Sequence, residues 1–151
     1  MAEIDGVVVK PLRQIFDDRG KIMHMMKATD QNFVRFGEVY FSTVNHGVVK
    51  AWHLHKKQTD NFACIKGMIK LVLYDAREGS KTKGKVLEVF MGEQHYALVN
   101  IPPGVIHGMK GISIEPAIVA NCCTDPYSED DEFRIDAYDT SVPYDWRLKD
   151  K

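Results

Sequence analysis

The chain has 151 residues, which is enough for one compact domain and too few for two ordinary ones. Hydrophobic residues make up 44% of the sequence and charged residues 27%, a balance that excludes a disordered chain. Twenty basic and twenty-one acidic residues leave a formal charge of -1, so the chain as a whole attracts neither nucleic acid nor anionic lipid, and an anionic ligand requires a local basic pocket.

The sequence carries no sign of a membrane or export signal. No apolar run reaches the ~18 residues of a membrane span. The N-terminal segment, residues 1–6, is acidic where a signal peptide is basic and then apolar. The three cysteines are odd in number and include no Cys-x-x-Cys pair: Cys64, Cys122 and Cys123. We therefore expect a cytoplasmic protein with reduced thiols, without nucleic-acid or membrane partners.

Short apolar runs separated by turn residues dominate the chain up to residue 123. The runs are rich in Val, Ile, Phe and Tyr, and single glycines or a Pro-Pro-Gly triplet lie between them. Many short strands at close spacing indicate an antiparallel sandwich or barrel. The pattern predicts nine strands: Ile4–Lys10, Lys21–Lys27, Glu38–Val44, Val48–His53, Asn61–Lys66, Met68–Tyr74, Lys85–Phe90, Tyr96–Ile101 and Ala117–Cys123.

Helical periodicity is weak throughout, and the best candidate helix follows Ser128. Serine is a favoured N-cap residue, and the four acidic residues at 129–132 suit the positive end of a helix dipole. We expect one or two helical turns there. The fold prediction is a single all-β domain over residues 1–151 with few short helices.

The most specific pattern begins on the fourth predicted strand. His53 and His55 are two residues apart, so a strand projects both from the same face. Lys50 would project from the opposite face unless the strand contains a bulge. Asp60 follows, and His107 comes after the Pro-Pro-Gly turn. Together these residues indicate a functional pocket.

The spacing Gly-x5-His-x-His-x4-Asp-x6-Gly, followed by Pro-x-Gly-x-x-His, resembles the two motifs of the cupin superfamily. The resemblance implies a jelly-roll (double-stranded β-helix) barrel with these residues inside. In metal-binding cupins the corresponding positions are ligands, here His53, His55, Asp60 and His107. Three imidazoles and a carboxylate suit several divalent metals about equally well.

A second resemblance runs from about residue 7 to residue 146. The sequence segments that carry this resemblance are, in chain order, Phe16–Gly20, Val49–His53, Tyr74–Arg77, Ser80–Gly84, Ile101–Gly108, Cys123–Ser128, Asp139 and Pro143–Trp146. In this order and spacing they resemble the dTDP-4-dehydrorhamnose 3,5-epimerase family of nucleotide-sugar epimerases, which are themselves cupins. The resemblance implies a nucleotide-diphospho-4-keto-6-deoxysugar substrate, a role in deoxysugar or polysaccharide biosynthesis, a homodimer and no cofactor.

The family's reaction removes a proton from a carbon beside a ketone and reprotonates that carbon on its other face. The resemblance assigns the base to His53, whose imidazole suits proton transfer near neutral pH, and its acidic partner to Asp139. It places the second pocket histidine at His107 and the nucleotide-stacking tyrosine at Tyr127. A basic residue near the diphosphate, which in this family reaches across a dimer, falls on Arg19.

Four positions depart from the family pattern. An arginine is replaced by Lys50, which offers a point charge instead of a two-pronged guanidinium. A glutamine becomes His55, and a lysine that holds the developing oxyanion becomes Asp60. The family's tyrosine acid falls on Asn121, which donates a hydrogen bond but no proton. We therefore expect epimerisation at one carbon, C3 or C5, or an isomerisation, more readily than at both, with the enolate held by Asn121, His107 or Lys50.

Two other interpretations stay open at this point. The replacements at His55 and Asp60 favour metal ligation, so the first is a metal-dependent isomerase or dioxygenase with one divalent metal on His53, His55, Asp60 and His107. Because a metal-bound His53 has no free lone pair, it cannot also be the base, and we favour the metal-free base. The second is a non-catalytic cupin that binds a sugar nucleotide.

Overall fold

The computed structural model describes residues 3–150. Within this range no helix is formed, and so none that is long and apolar enough to cross a membrane. The described residues form twelve β-strands: β1 (Val8–Pro11), β2 (Gln14–Asp17), β3 (Gly20–Met23), β4 (Glu38–Val44), β5 (Val49–His55), β6 (Asp60–Lys66), β7 (Met68–Asp75), β8 (Val86–Gly92), β9 (Ala97–Ile101), β10 (Val105–Gly111), β11 (Ala117–Cys123) and β12 (Glu132–Arg134).

Two five-stranded antiparallel sheets make up the body of the fold. The first sheet has the order β1-β9-β6-β11-β4, and the second has the order β12-β5-β10-β7-β8. Because consecutive strands such as β4 and β5, or β6 and β7, belong to different sheets, the chain passes repeatedly from one sheet to the other. A separate hairpin pairs β2 with β3. The fold is the predicted antiparallel jelly roll.

The main hydrophobic core lies between the two sheets. Leu71 and Leu73 on β7 are fully buried against residues of the first sheet such as Val99 and Ile101 on β9. Burying an aliphatic side chain of this size contributes about 1.5–3 kcal/mol. At one end of the core the inward-facing residues of the strands are polar, and they line a cavity between the two sheets.

A smaller core lies on the outer face of the second sheet. The Trp52 ring packs against that of Trp146, with 4.9 Å between ring centroids, and against Tyr144 at 5.9 Å. The backbone of Trp52 also exchanges two hydrogen bonds with Ile135, at 2.8 and 3.1 Å. The C-terminal segment therefore supports β5, the strand that carries two of the predicted site histidines, from behind.

All nine predicted strands overlap observed ones, and β4 and β11 have the predicted bounds. Three further strands, β2, β10 and β12, are not predicted by the sequence pattern. In β10 the sequence Val-Ile-His-Gly-Met-Lys-Gly contains two glycines and a lysine, which are poor strand formers. Antiparallel pairing with β5 on one side and β7 on the other makes this segment a strand.

The prediction of a helix after Ser128 is wrong. A single turn, closed by the bond from the Asp131 N–H to the Ser128 carbonyl at 3.1 Å, leads directly into β12. The Asp131 carboxylate accepts hydrogen bonds from the backbone N–H groups of Lys56, Lys57 and Gln58 at 2.9–3.0 Å. This contact with the β5–β6 turn, and not a helix N-terminus, satisfies the acidic side chain.

Candidate active site

An open cavity of about 770 Å³ lies between the sheets at the polar end of the core. This volume is within the range of about 300–1,000 Å³ that is typical of small-molecule sites. Six strands contribute to the wall, namely β4, β5, β6, β10, β11 and β12. The polar and charged lining residues are Glu38, Tyr40, Ser42, Lys50, His53, His55, Gln58, Asp60, His107, Asn121, Tyr127, Ser128, Glu132 and Arg134.

A bulge in β5 brings Lys50 to the cavity. His107 of β10 lies opposite His53 of β5, and Met109 lies opposite Lys50. The step from His107 to Met109 is two residues, whereas the step from His53 to Lys50 is three. Two residues of β5 therefore oppose a single residue of β10, and the alternation of side chains shifts by one. As a result, Lys50 and His53 line the same cavity despite their odd spacing. The placement of Lys50 and His53 on one face therefore depends on this bulge.

The single β10 residue within the bulge is Gly108. A Cβ atom there would lie 2.4 Å from the Cβ of Ala51, closer than real Cβ contacts come, so the bulge depends on glycine at this position. On the cavity side, the Lys50 Nζ donates a hydrogen bond to the Ser42 Oγ at 3.0 Å. Because Ser42 belongs to the first sheet and Lys50 to the second, this bond fixes an ammonium group where the two walls meet.

His53 presents its imidazole to the cavity with one ring nitrogen near a carboxylate. Its Nδ1 lies 3.6 Å from the Glu132 Oε1. Glu132 is brought there by β12, which pairs with β5 so that Arg134 lies opposite His53. The Arg134 guanidinium donates to the same Glu132 oxygen at 3.0 Å. The Nε2 of His53 has no hydrogen-bond or ion-pair partner among residues 3–150, which leaves it available to a ligand.

The pKa of His53 is lowered, first by burial and then by charge repulsion from His107. Glu132 acts in the opposite direction, whereas Arg134 and His55 add to the lowering. The imidazole is therefore neutral at neutral pH. A neutral imidazole with a free Nε2 has the lone pair that a general base needs.

Asp60 is the buried centre of a hydrogen-bond network beside His53. Its Oδ2 lies 3.2 Å from the His107 Nε2 and 3.6 Å from the His55 Nε2. Its Oδ1 accepts hydrogen bonds from the Gln58 Nε2 at 2.7 Å and the Asn121 Nδ2 at 2.9 Å. Burial alone would raise the pKa of Asp60, but His107, with help from His55 and Asn121, outweighs burial and lowers it to about 2. The carboxylate is ionised, and both of its oxygens are engaged.

Three of the four predicted metal ligands contact one another in this structure. The Nε2 atoms of His55 and His107 lie 3.6 and 3.2 Å from the Asp60 Oδ2, and the Asp60 Oδ1 accepts hydrogen bonds from Gln58 and Asn121. The charged group nearest to the His53 Nδ1 is Glu132. Among the described residues, no group of three or more His, Cys, Asp or Glu side chains is arranged to hold a metal ion. We therefore derive no step through a metal.

Asn121 and Tyr40 form a pair across the first sheet. They lie directly opposite each other on β11 and β4. The Asn121 Oδ1 accepts the Asn61 N–H at 3.0 Å, and its Nδ2 donates to the Tyr40 hydroxyl at 3.0 Å as well as to Asp60. Burial, opposed by the hydrogen bond from Asn121, raises the pKa of Tyr40 to about 12. The phenol is thus protonated at neutral pH.

Comparison with known proteins shows to which family the chain belongs. The family model described as dTDP-4-dehydrorhamnose 3,5-epimerase matches residues 1–151. The chain belongs to this family. The predicted family is therefore confirmed, and with it the assignment to the sugar epimerases and isomerases.

Two relatives match this epimerase-family chain along nearly their whole length. The spore coat polysaccharide biosynthesis protein SpsL of Bacillus subtilis is 38% identical over 148 residues, which cover 97% of this chain and 98% of SpsL. The probable low-salt glycan biosynthesis epimerase Agl13 of Haloferax volcanii is 36% identical over 153 aligned residues, covering 99% of this chain and 98% of Agl13.

Solved structures of the epimerase family share the fold. A dTDP sugar isomerase from Desulfovibrio desulfuricans superimposes with a TM-score of 0.94 at 37% identity, covering 97% of this chain and 94% of its own. The dTDP-6-deoxy-D-glucose-3,5-epimerase of Legionella pneumophila, solved with dTDP-4-keto-L-rhamnose, has a TM-score of 0.83 at 27% identity and covers 99% and 83%. Both confirm the jelly-roll architecture.

Five of the residues assigned by resemblance to the epimerase family come together in the cavity: Lys50, His53, His107, Asn121 and Tyr127. Tyr127 is 62% exposed, so much of the residue is accessible to a ligand. The structure places these side chains around one space, and their individual roles stay predictions.

Two other assigned residues lie away from the cavity of the single chain. Arg19 is at the tip of the β2–β3 hairpin, with its side chain 88% exposed and paired with a neighbouring aspartate. Asp139 is exposed, and its Oδ1 accepts the N–H of Ser141 at 2.8 Å. The carboxylate beside His53 is that of Glu132. The roles predicted for Arg19 and Asp139 also stay predictions.

Seven polar or charged cavity residues are not assigned to the site by the sequence pattern: Glu38, Tyr40, Ser42, Gln58, Ser128, Glu132 and Arg134. On β4, Glu38, Tyr40 and Ser42 are two residues apart and share the inward face. The alternation of side chains along β4 predicts the wrong inward face, because the apolar residues Val39 and Phe41 are on the exposed side. Glu132 and Arg134 lie on β12, where acidic residues were interpreted as a helix N-terminus.

Proposed function

We propose that this chain epimerises a nucleotide-diphospho-4-keto-6-deoxysugar in deoxysugar or polysaccharide biosynthesis, with His53 as the base. The observation that carries the proposal is the unpartnered Nε2 of a neutral His53 at the cavity wall. Family membership and the dTDP-4-keto sugar bound to the Legionella relative support the class of substrate.

The reaction begins when the His53 Nε2 removes a proton from C3 or C5, beside the C4 ketone. The C–H electron pair forms a carbon–carbon double bond, and negative charge develops on the ketone oxygen. Of the three groups predicted to hold this enolate, Lys50 has an ammonium group at the cavity wall, whereas the Asn121 amide hydrogens are committed to Tyr40 and Asp60. A fixed positive charge near the developing oxyanion lowers the barrier. Protonation on the other face of the carbon completes the inversion.

Glu132 is the group that would orient His53 during this step. A carboxylate at Nδ1 fixes the tautomer with a free Nε2 and stabilises the imidazolium that forms. The Glu132 Oε1 lies 3.6 Å from Nδ1, just beyond hydrogen-bond distance, so a small side-chain movement would form this bond, and the Glu132 side chain is only 16% exposed. The family resemblance predicts the same role for Asp139, and the substitutions Glu132→Gln and Asp139→Asn separate the two.

Epimerisation at a single carbon, or an isomerisation, follows from the residue at position 121. The family tyrosine that acts as an acid is Asn121 here, and an amide supplies no proton. A missing acid typically costs roughly 10²–10⁴-fold in rate. Because one acid position of the family is absent, we propose that the chain processes one of the two carbons and not both.

Substrate binding in the proposal involves a second copy of the chain. Tyr127 would stack on the nucleotide base, and Arg19 would reach the diphosphate in the cavity of the partner of a homodimer. The exposed position of Arg19 outside its own cavity supports this arrangement. The proposal includes no cofactor, and it includes a cytoplasmic location, which the free state of Cys64, Cys122 and Cys123 supports.

Reaction in D₂O tests the proposed function. The protein, pretreated with a chelator, is incubated with dTDP-4-keto-6-deoxyglucose, and the sugar nucleotide is analysed by mass spectrometry. We expect a gain of one mass unit, because one carbon-bound proton is replaced by a deuteron. No gain of mass together with tight binding would contradict epimerisation and favour the non-catalytic alternative. A gain of two units would contradict processing at a single carbon.

A further inference from the structure

The cavity contains a phenol on the wall opposite His53. Tyr40 lies on β4 in the first sheet, whereas His53 lies on β5 in the second, and both line the cavity between the sheets. A sugar ring lying between the sheets and parallel to them would turn one face toward each sheet. Inversion at a carbon needs groups on both faces, because the proton leaves from one face and arrives at the other.

The hydrogen bonds around Tyr40 leave its proton available. The hydroxyl oxygen accepts the Asn121 Nδ2–H at 3.0 Å. A tyrosine hydroxyl has one hydrogen to donate in addition to its acceptor capacity. Within residues 3–150 no group accepts that hydrogen. With its acceptor side occupied by Asn121, the phenolic O–H is left to donate to a ligand in the cavity.

Asn121 itself is not available for the same task. Its Oδ1 accepts the backbone N–H of Asn61, and its Nδ2 donates to Tyr40 and to Asp60. Every polar atom of the amide thus has a partner in the protein. The amide fixes the position of the Tyr40 oxygen, and it offers a hydrogen bond to the phenolate that remains once the proton has left.

We propose that Tyr40 is the catalytic acid of this chain and protonates the enolate carbon on the face opposite His53. The inference rests on the proposed function. In this step the electron pair of the enolate double bond forms the new C–H bond, the C4 ketone is restored, and the Tyr40 O–H bond breaks. The phenolate is reprotonated from solvent, to which Tyr40 is 43% exposed, and the imidazolium of His53 releases its proton to solvent.

Two further observations agree with this role. The pKa of Tyr40, raised by burial, keeps the phenol protonated at the start of each cycle. The position of Tyr40 directly opposite Asn121 also explains how the chain functions without a tyrosine at position 121.

The Tyr40→Phe variant tests the inference when incorporation of deuterium and inversion are measured in the same reaction. With dTDP-4-keto-6-deoxyglucose in D₂O, we expect Tyr40→Phe to retain incorporation. His53 still removes the proton, the imidazolium exchanges that proton for a deuteron of the solvent, and the deuteron returns to the same face. Inversion, followed by NMR coupling constants of the product, should fall by roughly 10²–10⁴-fold.

Each other outcome for Tyr40→Phe contradicts the inference. Inversion at the wild-type rate would show that another group protonates the carbon. Loss of incorporation together with inversion would place Tyr40 in proton removal and not in protonation. Absence of incorporation in the wild-type protein would instead contradict the proposed function, so the two failures are distinguishable.

Two controls accompany the variant. Tyr138→Phe removes the hydroxyl of a tyrosine that is 76% exposed and does not line the cavity, and we expect it to react like the wild type. Thermal unfolding and calorimetric titration with dTDP establish that Tyr40→Phe is folded and binds nucleotide. A loss of inversion in a folded, nucleotide-binding variant is then due to the hydroxyl group.

Discussion

Two carboxylates compete for the role of partner to His53, and the structure and the family resemblance favour different ones. Glu132 lies 3.6 Å from the Nδ1 of His53, on a strand that pairs directly with β5. Asp139, the residue assigned by resemblance, accepts a hydrogen bond from Ser141 in its own turn. Position in the folded chain therefore favours Glu132.

Glu132→Gln should lower kcat on the order of 10²-fold and shift the acid limb of kcat/KM to lower pH. The sign follows from the charges around His53. Burial, His107, Arg134 and His55 lower its pKa, while Glu132 raises it, so removing that negative charge lowers the pKa further. Asp139→Asn provides the matched comparison in the same pH–rate measurement. A shifted profile for Asp139→Asn and an unshifted one for Glu132→Gln would return the role to Asp139.

The sequence predicts part of the site because motif spacing determines it. Lys50, His53, His107, Asn121 and Tyr127 all line the cavity as the motifs indicate. Tyr40 and Glu132 were not predicted, since their positions depend on which strands are neighbours. Their pairing with β11 and β5 joins residues 81 and 77 positions apart, and no local pattern encodes such pairs.

Among the elements, the β5 bulge determines where Lys50 and His53 point. Gly108→Ala would force its Cβ to within 2.4 Å of the Ala51 Cβ, so the paired strands must separate. We expect the free energy of unfolding to fall by about 1–3 kcal/mol. Activity should fall as well, because Lys50 and His53 shift although no residue that lines the cavity is removed. Urea denaturation and a steady-state assay measure the two effects. A variant of wild-type stability and activity would show that the bulge tolerates a side chain.

The turn between β5 and β6 depends on Asp131, whose carboxylate accepts three backbone N–H groups. Asp131→Ala leaves these donors without their acceptor and should reduce the free energy of unfolding by about 1–3 kcal/mol. Asp130→Ala removes an adjacent exposed carboxylate and should leave unfolding within about 0.5 kcal/mol of the wild type. Equal urea midpoints for the two variants would contradict the structural role of Asp131.

The same turn shows why the elements were only partly predictable. Strand segments with Val, Ile, Phe and Tyr between glycines were found because residue preference and environment agree there. The acidic run at 129–132 has the composition of a helix N-terminus. In the structure, however, the Asp131 carboxylate accepts backbone N–H groups of the β5–β6 turn, and Glu132 lies on β12 beside His53. Tertiary contacts override the local preference at these positions.

The cavity, like the whole molecule, contains nearly equal numbers of positive and negative side chains. Among the lining residues, the two cations Lys50 and Arg134 stand beside three carboxylates, those of Glu38, Asp60 and Glu132. A diphosphate therefore gains little net attraction from a single chain. In the proposed homodimer, a cation from the second copy, such as the exposed Arg19, would supply this attraction.

The outer face of β4 is the surface that we expect a second copy to cover. β4 is an edge strand of the first sheet, and it exposes Val39 at 49% and Phe41 at 64%. Edge strands with exposed apolar residues favour association. Phe41→Lys should convert a dimer to a monomer in light scattering coupled to size exclusion, whereas Leu148→Lys, at another highly exposed residue, should not. A Phe41→Lys protein that stays dimeric would place the interface elsewhere.

In the proposed reaction His53 removes the proton beside the ketone, and the rate of hydrogen exchange in the sugar tests this step most directly. In D₂O, the ¹H NMR signal of C3–H or C5–H of dTDP-4-keto-6-deoxyglucose should disappear with wild-type protein. With His53→Asn, which keeps the size and polarity of the site, exchange should be slower by roughly 10²–10⁴-fold while dTDP is still bound. Exchange at the wild-type rate in His53→Asn would show that another group removes the proton.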